Sequence, residues 1–157
     1  MKARWTVLSL SQTSGYAILA LGCLLQVQDR WVKTGEIAEC TGIPPAYLSK
    51  ILHKLGQSGL ITAKRGAYGG YALSRPARKI SLLDVVEAVK GRPTKPACLI
   101  GLSECSDEHP CPAHEFWKKE RERIWKKLSH LNLRDAAEYE RERGTRIGQR
   151  GVGVKSG

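Results

Sequence analysis

Thr34-Gly35-Glu36-Ile37-Ala38-Glu39-Cys40-Thr41-Gly42-Ile43-Pro44-Pro45-Ala46-Tyr47-Leu48-Ser49-Lys50-Ile51-Leu52-His53-Lys54-Leu55 holds two short helical patterns around a tight turn. In the second, Leu48, Ile51, Leu52 and Leu55 fall at i, i+3, i+4 and i+7, one apolar stripe for a core. Pro44 and Pro45 stand where a first helical turn tolerates a missing N–H. Tyr47, Ser49, Lys50, His53, Lys54 and Gln57 are left outward, a face rich in donors and positive charge. Glu36 to Cys40 predicts the first helix, with Thr34 as its N-cap. Thr41-Gly42 makes the turn, and the spacing is that of a helix–turn–helix.

Downstream, Ile61-Thr62-Ala63-Lys64-Arg65 and Tyr71-Ala72-Leu73-Ser74 flank Gly66-Ala67-Tyr68-Gly69-Gly70. Two short strands around a glycine-rich tip predict a hairpin. Lys64 and Arg65 sit at the tip, where a wing meets the DNA minor groove or backbone. An amphipathic helix pair alone is a common surface feature. Helix, turn, helix and basic wing in that order are far more specific, and they predict a mainly α, winged helix–turn–helix fold.

The charge supports a polyanionic partner: 26 Lys and Arg against 15 Asp and Glu, +11 formally in 157 residues. Residues 1–75 carry nine basic and three acidic side chains, 76–113 five of each, and 114–157 twelve and seven. The apolar run Tyr16–Leu25 is too short to span a bilayer, so no membrane partner is expected. Ala20-Leu21-Gly22-Cys23 within it resembles a lipoprotein cleavage box. The polar residues ahead of the run, and Leu24-Leu25 continuing it, favour a buried first helix from about Leu10 to Gln28. Five cysteines, an odd number, without an export signal point to thiol or metal chemistry in a reducing, cytoplasmic, nucleoid-associated setting.

Cys23 and Cys40 lie in apolar helical stretches and are expected to be small core residues. Ser81 caps Leu82 to Val89, a short helix closed by Gly91. Ala113 to Leu131 reads as a long, highly charged helix with a narrow seam of Trp117, Ile124, Leu128 and Leu131, interrupted by Arg121. Such a seam suits pairing with the same helix of a second subunit, hence a homodimer reading a near-palindromic duplex. Leu133 starts a further polar helix. The resulting divisions are a DNA-binding head over 8–91, a cysteine loop over 92–112, helices over 113–143, and a disordered basic tail over 144–157.

Within the loop, Cys98, Cys105 and Cys111 are separated by six and five residues, and His114 follows three positions later. Clustered thiolates are the ligands of iron–sulphur clusters, and imidazole can replace one. Zinc also accepts three cysteines and a histidine, but its structural sites usually show a tight Cys-x₂₋₄-Cys pair, absent here. A thiol–disulphide switch needs only two of the cysteines. A Cys–His hydrolase needs a cleft that nothing else suggests. His109 is a second candidate for the fourth ligand.

Leu10-Ser11-Gln12-Thr13-Ser14-Gly15-Tyr16-Ala17-Ile18-Leu19-Ala20-Leu21, Pro45-Ala46-Tyr47-Leu48 and Arg65-Gly66-Ala67-Tyr68-Gly69-Gly70-Tyr71-Ala72-Leu73 together resemble the Rrf2 family of bacterial transcription regulators. The resemblance runs from about Leu8 to Ala137. It implies a dimeric winged-helix protein whose long C-terminal helix pairs across the dimer. It also implies a redox-sensitive cluster on Cys98, Cys105, Cys111 and His114, the pattern of [2Fe–2S] members, with the first gap one residue longer here. Arg65 matches the wing arginine that enters the minor groove. Ser49 and Lys50 match base-reading positions where an iron–sulphur member has Glu-Gln, so the operator does not carry over. Some relatives complete a [4Fe–4S] site with a carboxylate from the first helix, where this chain has Gly15, which favours [2Fe–2S] with His114. The expectation is a repressor, not an enzyme, that senses iron, redox or nitric-oxide state.

Overall fold

A computed structural model of the chain describes residues 9–27, 29–93, 96–101 and 104–142. The leader before Ser9, Arg143 and the basic tail lie outside the described residues. Helix α1, Gln12–Gln26, is capped by Ser11, whose Oγ accepts from Ser14 N at 3.3 Å. Ala17, Ala20, Leu21, Cys23 and Leu24 are buried along it. Small residues there let neighbours approach from several sides, and α1 packs against four helices and the sheet.

The first helix of the head, α2, spans Thr34–Thr41. Its N-cap is Lys33, one residue before the expected Thr34: Lys33 N–H donates to Glu36 Oε2 at 2.9 Å. A carboxylate at the third helical position supplies the bond that was assigned to a threonine hydroxyl. That bond and the Arg30 guanidinium, 2.8 Å away, hold the Glu36 carboxyl below its usual range. Gly42, at φ 70°, ends α2 as the turn requires, and Thr41 Oγ1 bridges it by donating to Ile37 O and accepting from Ile43 N. Helix α3, Pro45–Gln57, buries Leu48, Ile51, Leu52 and Leu55, the stripe read from its spacing.

Cys23 of α1 and Cys40 of α2 are joined as a disulphide, against the expectation of two separate core thiols. Direct packing of the two helices brings their Cα atoms to 6.4 Å, within disulphide reach.

Strands β1, Ile61–Lys64, and β2, Gly70–Leu73, pair antiparallel with Ile61 opposite Leu73 and Lys64 opposite Gly70. Arg65 to Gly69 form the tip. Tyr71 also exchanges both backbone bonds with Val32, at 2.9 and 2.8 Å, so the hairpin is stapled on its other edge to the segment entering α2. A one-turn 3₁₀ helix, Ala77–Lys79, leads to α4, Leu82–Lys90, capped reciprocally by Ser81 and Asp84 and closed by Gly91 as expected. Helices α5, His114–His130, and α6, Leu133–Glu142, follow. Their junction returns to the head: Leu82 N donates to Leu131 O at 2.8 Å and Leu133 N to Ile80 O at 2.9 Å. No helix among the described residues is long and apolar enough to cross a membrane.

A Cβ on Gly69 would overlap the backbone carbonyl of Lys64, whereas one on Gly56, late in α3, meets nothing within 4 Å. Gly69→Ala is expected to lower stability by about 1–3 kcal/mol as the tip shifts. Gly56→Ala is expected to be neutral or to stabilise by up to about 1 kcal/mol. Urea midpoints of the two variants check this, and equal midpoints would contradict the packed tip.

Candidate nucleic-acid interface and cysteine site

The outward face of α3 is set by its buried stripe. Tyr47 leans back on α1, its hydroxyl 2.6 Å from Thr13 Oγ1 and its ring edge-on to Tyr16 at 5.7 Å. The hydroxyl of Ser49 donates to Pro45 O at 2.9 Å. Lys50 and His53 are exposed, and neither side chain forms a hydrogen bond or ion pair among the described residues. Lys54 differs from its expected place on the DNA face: its Nζ donates to Val89 O at 2.7 Å, at the end of α4. A lysine next to the buried stripe can reach the neighbouring helix's free carbonyls, and periodicity alone does not separate that from a solvent-facing cation. On the wing, Lys64 stands 5.8 Å from the Trp31 ring and Arg65 is exposed at the tip.

Among its described residues the cysteine loop is tied by backbone bonds. Cys105 N donates to Pro96 O at 2.8 Å, Ala97 bridges Glu104, and Gly101 N closes a turn on Cys98 O. Trp117, expected in the α5 seam, donates its indole N–H to Ala97 O at 2.8 Å, which holds the loop against α5. Phe116, Ile124 and Trp125 are the large apolar side chains that α5 leaves exposed.

Four ligand candidates meet as two pairs. Cys98 and Cys111 sulphurs are 3.7 Å apart, and Cys105 Sγ is 3.3 Å from His114 Nδ1. Two sulphurs on one tetrahedral metal span about 3.8 Å, and a sulphur and an imidazole nitrogen about 3.5 Å. Among the described residues no three His, Cys, Asp or Glu side chains converge on a single metal position. Cys111 precedes α5, and its carbonyl accepts from His114 N at 2.9 Å, so the two are joined by a turn at the start of the helix. His109 is exposed on the loop.

Sequence reading missed two partners here. His114, 5 % exposed, has Nε2 2.8 Å from Asp107 Oδ1, and Lys118 Nζ lies 2.8 and 3.1 Å from the two Asp107 oxygens. Lys118, and then His114, hold the Asp107 carboxyl below its usual range, and Asp107 raises Lys118. An acid between two candidate ligands was the available signal.

A helix pair of this geometry with a basic hairpin behind it defines a winged helix–turn–helix DNA-binding protein. The model of the Rrf2 family, described as an iron-dependent transcriptional regulator, matches residues 10–139. The transcriptional regulator IscR of Xenorhabdus nematophila is 32 % identical over 127 residues, 80 % of this chain and 77 % of that protein. The solved T. potens IscR covers 87 % of this chain and 90 % of its own, with a TM-score of 0.66 and 26 % identity. Staphylococcus aureus CymR, in an oxidized form, covers 83 % and 96 % with a TM-score of 0.63 and 25 % identity. The chain belongs to the Rrf2 family and is a transcriptional regulator.

The Lys54 bond generates a separable prediction. Lys54→Ala leaves a carbonyl at the end of α4 without its partner and should cost about 1 kcal/mol, whereas Lys50→Ala should change stability by less than about 0.5 kcal/mol. Denaturant midpoints decide, and a Lys54→Ala midpoint equal to wild type contradicts this account.

Proposed function

We propose that this regulator binds duplex DNA as a homodimer and senses through an iron–sulphur cluster held by Cys98, Cys105, Cys111 and His114, [2Fe–2S] rather than [4Fe–4S]. The observation that carries the reading is the pairing of four ligands two by two. A [2Fe–2S] centre takes two protein ligands on each iron, whereas a single zinc needs all four at one point. Such a cluster supplies a one-electron redox centre whose occupancy follows iron and oxidant supply.

The protein's own contribution is to carry the state of the loop to the head. The loop begins at Gly91, where α4 ends, and Lys54 of α3 is bonded to Val89 O just before it. Displacement of the loop thereby loads the end of α4 and the helix that reads DNA, shifting the population of binding-competent heads. Ser49, Lys50 and His53 would face the major groove and Lys64 and Arg65 the adjacent backbone or minor groove, with Tyr47 serving α1–α3 packing and Lys54 α3–α4 packing. Operator binding should be strongly salt dependent, and Arg65→Ala should weaken it by about 1–3 kcal/mol. The dimer would close on α5 through Ile124, Trp125 and Leu128.

A thiol switch is the second reading, favoured by the 3.7 Å between Cys98 and Cys111 sulphurs and by the likeness to a CymR solved in an oxidized form.

Protein purified without oxygen is expected to be coloured, with visible absorption bands, bound iron and acid-labile sulphide. Each of Cys98→Ala, Cys105→Ala and Cys111→Ala should lose them. Colourless protein with stoichiometric zinc, or with a Cys98–Cys111 disulphide on oxidation and no iron, would overturn the cluster reading. For the assembly, Ile124→Asp should sediment as a monomer at micromolar concentration where wild type is a dimer, and a monomeric wild type would refute that contact.

A further inference from the structure

His114 is the one buried histidine among the described residues, and both of its ring nitrogens are engaged. Nε2 faces Asp107 Oδ1 at 2.8 Å, and Nδ1 faces Cys105 Sγ at 3.3 Å. Lys118 Nζ donates to both Asp107 oxygens, at 2.8 and 3.1 Å, so the carboxylate stands toward Nε2 as a hydrogen-bond acceptor. With an acceptor facing Nε2, the geometry assigns a ring N–H to Nε2 and turns Nδ1 toward Cys105.

We propose that Asp107, braced by Lys118, is a positioning residue that locks His114 in the Nε2–H tautomer and aims Nδ1 as the ligating nitrogen. The ligating step rests on the reading that His114 belongs to the ligand set; the tautomer does not. A metal-binding histidine commonly donates its second ring N–H to a carboxylate, which fixes ring orientation and raises ligand basicity. Asp107 lies between Cys105 and Cys111, so the loop that carries the thiols also carries the group that orients the histidine.

The first arm uses the reduced, metal-free full chain, labelled with ¹⁵N-histidine. Its four histidines are told apart by a His114→Gln variant. Long-range ¹H–¹⁵N spectra are expected to show His114 as the Nε2–H tautomer in wild type and in Asp107→Asn, whose amide oxygen can still accept. Asp107→Ala should give a mixture or the opposite tautomer. A merely structural role for Asp107 would lower the thermal midpoint without moving that tautomer. An Nδ1–H tautomer in wild type, or the same tautomer in wild type and Asp107→Ala, overturns the proposal. The second arm reconstitutes the same proteins anaerobically with ferrous iron and sulphide and follows transfer of iron to a ferrous chelator. Release from Asp107→Ala should be about 10–100-fold faster than from wild type, with Asp107→Asn close to wild type. Hyperfine coupling to histidine ¹⁵N in the reduced protein should come from Nδ1, and coupling from Nε2 overturns the proposal. If no chromophore forms on wild type, the cluster reading fails, while the metal-free spectra still decide whether Asp107 sets the tautomer.

Discussion

Ala17, Ala20 and Leu21 are without exposure on a helix that touches α2, α3, α4, α6 and β2, and this burial on several sides is the constraint around which the molecule is arranged. A helix apolar round most of its circumference gains nothing from solvent and must be enclosed. Each element that encloses α1 does so with one face, which orients its other face outward. For α3 that outward face holds Lys50 and His53. For α6, Leu133 goes inward while Arg134, Asp135, Arg141 and Glu142 go out. The outward face of α3 is thus a by-product of what the hydrophobic effect requires of the first helix.

The head and the cysteine loop are joined by few but specific bonds. Trp117 fastens the loop to α5, the reciprocal Ser81–Asp84 cap defines the start of α4, and Lys54 fastens the end of α4 to α3. A net hydrogen bond contributes on the order of 1 kcal/mol. Bonds of that size are comparable to the coupling energies that regulation requires, and they can be made and broken without unfolding the core.

Much of the fold was legible because it is encoded locally. The i, i+3, i+4, i+7 stripe of α3, Gly42 and Gly91 after their helices, and the Ser81 cap are short-range consequences of helix geometry, and each stands where expected. The features that escaped depend on neighbours distant in sequence or on competing local partners. Glu36 displaced Thr34 because a carboxylate reaches back to a free N–H that a hydroxyl one residue later does not serve. The Cys23–Cys40 bond required knowing that α1 and α2 touch, and the Trp117–Ala97 bond required knowing that the loop folds over α5. At the cysteine site, spacing named the four candidates. The two-by-two grouping and the Asp107–Lys118 support come from a loop conformation that spacing does not contain.

Helix α5 is held differently at its two ends. Beyond its last turn, Leu131 O and Leu133 N are bonded to residues 82 and 80 of the head, a clamp of two backbone bonds. Its first residue is His114, seated in the cysteine loop. Seventeen residues at 1.5 Å rise make a rod of about 25 Å between them. Such a rod, clamped at one end, is a lever: a displacement of about 1 Å at His114 is a rotation of about 2° about the clamp. Ile124 and Trp125 ride between the two ends, so a displacement of His114 would reach the exposed apolar face in part.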